Sequence, residues 1–79
     1  MTYRVLYFAS LRDKAGVDAE DLDSAHADPR SLYAELRERH GFSLKQESLR
    51  LAVNGAFVAW DHALADGDEV VFVPPVSGG

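Results

Sequence analysis

Asp66-Gly67-Asp68-Glu69-Val70-Val71-Phe72-Val73-Pro74-Pro75-Val76-Ser77-Gly78-Gly79 closes the chain and decides how its fold is read. Asp66-Gly67 is a turn signal, because an Asp side chain bonds nearby backbone and Gly accepts positive φ. Glu69 to Val73 is a β-branched and aromatic run of strand length. Pro74 and Pro75 stop that strand, since proline lacks the ladder N–H and biases the residue before it towards extended geometry. Gly78 and Gly79 carry no Cβ and can thread a slot too tight for any side chain. The sequence ends on the α-carboxylate of Gly79, which is the candidate functional group. A terminal glycine pair alone is no more than a loose end, so the residues upstream decide what it means.

Working outward, Leu49-Arg50-Leu51-Ala52-Val53 alternates so that Leu49, Leu51 and Val53 share a face. Asn54-Gly55 is a hairpin turn signal, and Phe57-Val58-Ala59-Trp60 is the expected return strand. At the other end Tyr3 to Ala9 reads as a strand. Ser10-Leu11-Arg12-Asp13 has the form of a capping box that opens a short helix, closed by Gly16. Val17 to Ala25 alternates weakly and is expected as an edge strand whose acidic residues discourage unwanted pairing. Asp28 caps the next helix with Pro29 at its first position; Leu32, Tyr33, Leu36 and His40 form one stripe, and Gly41 ends it. Residues 42–48 are a connection. The fold class is therefore α+β, with one main helix (about 29–40) crossing a mixed four- to five-stranded sheet and a short helix after the first strand. A single domain over residues 1–79, with a flexible tail over 74–79, is expected at this length.

Composition narrows the function classes. There is no cysteine, which removes a disulfide framework, a thiolate nucleophile and a Cys-ligated metal together. The net charge is −5, and residues 51–79 contain four carboxylates but no lysine or arginine, so that half has no cations to meet a nucleic acid backbone. Five of the eight basic residues (Arg30, Arg37, Arg39, Lys45 and Arg50) fall in the middle of the chain and read as scattered, solvated surface. His26, His40 and His62 lack metal-ligand spacing, and no serine sits in a Gly-x-Ser-x-Gly setting. No apolar run approaches the ~20 residues of a spanning helix, and the N-terminal stretch lacks the apolar block of a secretory signal. The expectation is a cytoplasmic protein with no metal site, no nucleic acid partner and no membrane.

Strand parity adds a surface. If Tyr3, Val5 and Tyr7 face the helix, Leu6 and Phe8 face the other way; likewise Val70 and Phe72 point in while Val71 and Val73 point out. With Phe57 near the hairpin, this predicts an apolar patch on the uncovered face, beside the root of the tail. Such a patch on a small protein marks a partner site. Phe8, Phe57 and Val73 are the candidate partner-binding residues.

Several motifs in this order resemble the small subunit of molybdopterin synthase, a family of ubiquitin-like β-grasp sulfur carriers. They are Val5-Leu6-Tyr7-Phe8-Ala9-Ser10-Leu11-Arg12, Val53-Asn54-Gly55, Asp61-His62-Ala63-Leu64, Asp66-Gly67-Asp68-Glu69-Val70, and Phe72 through Gly79. Residues 17–48 match in pattern rather than in motif. The resemblance implies that an activating enzyme uses ATP and magnesium to adenylate Gly79, and that a persulfide donor then supplies sulfur to leave a Gly79 thiocarboxylate. No cofactor is held permanently. Pro74, Pro75, Ser77 and Gly78 would form the tail that enters the large synthase subunit, expected as a heterotetramer, where the catalytic groups lie. Sulfur would pass to cyclic pyranopterin monophosphate. Other pathways stay open at this point: carriers for thiamin, cysteine or tRNA thiolation share the fold and the Gly-Gly end, as do ubiquitin-like protein modifiers, and a passive interaction domain remains a further reading.

Overall fold

A computed structural model describes residues 1–75. Its seven principal elements are β1 (Thr2–Leu6), α1 (Ala9–Ala15), β2 (Ala19–Asp23), α2 (Pro29–His40), β3 (Arg50–Val53), β4 (Ala56–Val58) and β5 (Glu69–Val73). A single 3₁₀ turn, Gln46–Ser48, interrupts the connection before β3. The five strands form one sheet in the order β2-β1-β5-β3-β4. Only the central β1–β5 pair is parallel; the flanking pairs are antiparallel. This is the ubiquitin-like β-grasp arrangement, a mixed sheet gripping one long helix.

Alternation explains the core. Tyr3, Val5, Tyr7, Leu22, Leu51, Val53, Val70 and Phe72 turn one face of the sheet towards Leu32, Tyr33 and Leu36 of α2, and all are buried. Three tyrosines occupy this core, and each phenol reaches an acceptor at its rim, as a buried hydroxyl requires. Tyr3 donates to the carbonyl of His26 and Tyr33 to that of Leu44, both at 2.6 Å. Tyr7 donates to the Glu20 carboxylate. His40, at the end of the α2 stripe, places Nε2 2.8 Å from the same carboxylate oxygen and packs its ring against Tyr7 and Phe42. Burial and the bond to Glu20 push the Tyr7 hydroxyl well above the usual phenol range. Burial acting alone would raise the Glu20 carboxyl; the hydrogen bonds with Tyr7 and His40 outweigh it and lower it.

The helix ends follow their signals in part. Asp28 accepts from the Ser31 amide at 3.2 Å with Pro29 in the first turn, and Gly41 closes α2 at φ +73. Gly16 closes α1 in the same left-handed manner. The capping box expected at Ser10 does not form: α1 opens two residues earlier than that cap requires, at Ala9, and its N-cap Phe8 makes no side-chain cap. The strand runs almost directly into the helix through Ala9, whose φ of +50 reverses the chain. The Phe8 carbonyl takes the first helical bonds, so Ser10 is already inside the helix. The return strand is also shorter than Phe57 to Trp60. Its ladder ends at Leu51–Val58, and Trp60 leaves it to stack on Phe72, with ring centroids 5.8 Å apart. The acidic edge strand is found at β2, on the outside of the sheet.

Candidate functional site

The face of the sheet turned away from α2 is organised in rows, because directly paired residues on neighbouring strands project to the same side. Leu6 pairs with Ala19 on β2 and with Val71 on β5; Val71 pairs with Ala52 on β3, and Ala52 with Phe57 on β4. The result is an unbroken apolar row, Ala19–Leu6–Val71–Ala52–Phe57, with one residue from each strand. Towards the start of β5 the parallel row is Asp21–Arg4–Glu69, wholly charged; the Arg4–Asp21 ion pair spans 3.4 Å. Towards the end of β5, Val73 pairs with Arg50. Phe8 lies beyond β1 but stays extended (φ −128, ψ 154), so parity carries its ring to the same side as Leu6. The apolar surface is thus bounded by charge at one end and runs at the other into Val73, Pro74 and Pro75.

Of the residues expected to bind a partner, Phe8 and Phe57 are 50% and 58% exposed, a large solvent-facing area for core-type side chains. Val73 is half-buried, as is Pro74, and Pro75 is exposed. Val71 is nearly covered by its row neighbours and stays outside the helix-side core. The structure therefore joins Phe57 and Val73 through Val71, Ala52 and Arg50, and sets Phe8 at the β1 end of the same face. The remaining expected tail residues, Ser77, Gly78 and the candidate reactive residue Gly79, lie outside the described residues.

Arg50 and Ala52 are the two positions that site prediction overlooked. The signal was present, because Leu49, Leu51 and Val53 on one face place Arg50 and Ala52 on the other. Arg50 is exposed, as expected, but it is not isolated. Its guanidinium carbon lies 3.9 Å from the centroid of the Phe57 ring, a cation–π contact between two adjacent strands.

The beginning of β5 is held by a polar lock assembled from two of the sequence motifs. Asn54, in the left-handed hairpin position (φ +53) ahead of Gly55 (φ +85), donates through Nδ2 to Asp68 Oδ1 and accepts the Glu69 amide on Oδ1, both at 2.9 Å. Asp68 also accepts the Ala65 amide at 2.9 Å, and the Thr2 amide donates to Asp66 at 2.6 Å. The Ala65 N–H, followed by the Asn54 amide, holds the Asp68 carboxyl below the usual carboxylate range. Asn54, Asp66 and Asp68 therefore fix the register of the central strand that carries the tail.

Among the described residues no group of three His, Cys, Asp or Glu side chains is placed to hold a metal ion. No helix among them is long and apolar enough to cross a membrane. A concavity of about 670 Å³ lies between α2 and the loop after it, beside Arg30, Tyr33, Arg37 and Lys45, and includes none of the apolar row. The apolar row, with Val73, Pro74 and Pro75 at one end, is an open face of the sheet.

Comparison with known proteins gives the same picture along the whole chain. Residues 5–79 match the ThiS family. A molybdopterin synthase sulfur carrier subunit of Escherichia coli is 39% identical over 96% of this chain and 98% of its own length. Among solved structures, one chain of a complex of subunits 1 and 2 of molybdopterin-converting factor from Helicobacter pylori aligns over 100% of this chain and 100% of its own, with 25% identity and a TM-score of 0.69. Small archaeal modifier protein 1 from Methanosarcina acetivorans aligns over 99% of this chain and 96% of its own, with 25% identity and a TM-score of 0.78. With a family match from β1 to the last residue and near-complete coverage of a relative at 39% identity, the chain belongs to the ThiS family and, within it, to the molybdopterin synthase sulfur carrier subunits.

Proposed function

We propose that this protein is the sulfur carrier subunit of a molybdopterin synthase and that its working group is the α-carboxylate of Gly79. The observation that carries the reading is the near-full-length match to a sulfur carrier subunit. The apolar row running into the root of the tail supports it from the structure.

The chemistry follows from what a carboxylate lacks. It is a poor electrophile, so an activating enzyme converts it, with ATP and magnesium, to an acyl adenylate and releases pyrophosphate. A persulfide on a donor protein attacks the acyl carbon and expels AMP. A thiol then reduces the resulting acyl disulfide, leaving the thiocarboxylate on Gly79 and a disulfide on the donor side. ATP and magnesium are co-substrates of the activating enzyme, and this chain holds no resident cofactor. Sulfur thus rides on the backbone end of a chain without a thiol.

The loaded tail enters the large synthase subunit, which supplies the catalytic groups, and donates sulfur to cyclic pyranopterin monophosphate. Two sulfurs are needed for each dithiolene, so two loaded carriers are consumed for each product, and a heterotetramer of two small and two large subunits suits this count. Pro74 and Pro75 hold the tail clear of the sheet, while Ser77, Gly78 and Gly79 are narrow enough to pass into a partner. Phe8, Phe57 and Val73 form the docking face used in turn by the large subunit and the activating enzyme in the cytoplasm. Binding is then mutually exclusive, and a ternary complex on one carrier molecule would sink that part of the reading.

Purified loaded carrier, large subunit and cyclic pyranopterin monophosphate should yield molybdopterin without further ATP. The likeness to an archaeal modifier protein supports a second reading, conjugation of Gly79 to lysines. Isopeptide-linked Gly79 on diverse proteins in cell extract, with no product from the reconstituted reaction, would favour that reading instead.

A further inference from the structure

We propose that Arg50 is a specificity-determining residue of the docking face, and that it takes a carboxylate of the large synthase subunit in the groove where β3 and β4 diverge. The proposal rests on the reading above for the identity of the partner, and goes beyond it in assigning the polar contact and its sign.

Three observations carry it. Arg50 is the only Lys or Arg from residue 46 to the end of the chain, in a protein of net charge −5. It stands beside Val73 at the root of the tail, where every other partner-facing group is apolar. Among the described residues it makes no ion pair and no side-chain hydrogen bond; Arg4, Arg12 and Arg39 have carboxylate partners and Arg37 donates to the Phe42 carbonyl, whereas the Arg50 contact is with the face of Phe57. That contact holds the guanidinium plane while leaving its five N–H donors unused.

The groove supplies a receptor for the carboxylate. Beyond the last β3–β4 pair, Leu51–Val58, the strands separate, and Arg50 and Phe57 line a cavity of about 370 Å³ with Leu49, Val58, Ala59 and Trp60. An Asp or Glu side chain entering there would meet a planar fork already oriented by the Phe57 ring. These are the conditions under which a charged interface contact strengthens binding. The same cation opposes a basic partner surface, so the contact discriminates as well as attracts.

The test uses the full chain and the large subunit from the same organism, with affinity measured between ~50 and 500 mM salt. Arg50→Leu, which keeps apolar area but removes the charge, should weaken binding about tenfold, and Arg50→Glu by more. Arg50→Lys, with charge but no fork, should lie between wild type and Arg50→Leu. The salt dependence of wild-type binding should be steeper than that of Arg50→Leu. Because Arg50 is exposed and its one contact is with the Phe57 ring, Arg50→Leu and Arg50→Glu should lose no more than about 0.5–1 kcal/mol of stability, a few degrees in Tm, and Arg50→Lys less. If wild type binds and Arg50→Leu or Arg50→Glu binds as tightly or more tightly, the inference fails while the carrier reading stands. If wild-type carrier forms no complex with the large subunit, the partner assignment fails and takes this inference with it.

Discussion

Truncating Phe57 separates the docking role of the open face from its role in the fold. A phenylalanine side chain presents roughly 200 Å², and Phe57 is 58% exposed, so about 115 Å² of it is still available to a partner. At about 25 cal/mol per Å² that area corresponds to an upper bound near 3 kcal/mol on association, or a loss of up to about 100-fold in affinity. Within the monomer the ring contributes far less. It covers Ala52 across the β3–β4 pair and holds Arg50 by a cation–π contact of about 0.5–1 kcal/mol at an exposed position. Phe57→Ala should therefore lower stability by about 1 kcal/mol, a few degrees in Tm for a domain of this size. It should also weaken the complex with the large subunit by about 10- to 100-fold. Calorimetric titration and thermal unfolding of the same samples measure the two effects. Unchanged affinity, or a monomer destabilised by more than about 2 kcal/mol, would refute the assignment of Phe57 to a docking face.

Two further predictions concern the scaffold that positions the site. Glu20→Gln replaces the charged acceptor shared by Tyr7 and His40 and should cost about 1–2 kcal/mol in urea unfolding at neutral pH. Because the folded state lowers the Glu20 carboxyl, its contribution is present above the ordinary glutamate range and lost as pH falls through the folded value. The variant should therefore show a shallower acid limb of stability against pH, and an acid limb identical to wild type would contradict the linkage. In the hairpin, Asn54→Gly keeps the left-handed φ but removes both side-chain bonds, whereas Asn54→Ala also forces a Cβ into that conformation. Losses of about 1 and about 2 kcal/mol are expected, in that order, by chemical denaturation; equal losses would show that backbone conformation plays no part.

Much of this organisation could be read in the residues, and the departures have local causes. Turn chemistry at Asn54-Gly55 and Asp66-Gly67, and the Asp28-Pro29 and Gly41 bounds of α2, are short-range signals whose partners lie within a few residues. Strand parity separated Tyr3, Val5 and Tyr7 from Leu6 and Phe8 because one face is buried, and a slip of one residue would have exposed the whole core set. The cap expected at Ser10 does not form because Ala9 adopts a positive φ that alanine disfavours and starts the helix earlier, and nothing in its neighbours announces it. Trp60 was placed in a strand that its stacking on Phe72 draws it out of, which is a tertiary contact. The partner role of Arg50 depended on register: Phe57 reaches it only because Phe57 pairs with Ala52, the next residue of β3 on the same face as Arg50. The Asn54–Asp68 bond likewise joins two recognisable motifs by a contact that neither one specifies alone.

The central claim is that Gly79 carries sulfur as a thiocarboxylate. Incubating the full chain with its activating enzyme, ATP, magnesium and a persulfide source, followed by intact-mass measurement, tests it most directly. A gain of about 16 Da, the exchange of one oxygen for sulfur, is expected on wild type and none on a chain lacking Gly79. No gain on wild type with an active enzyme, or the same gain on the Gly79 deletion, would contradict the account.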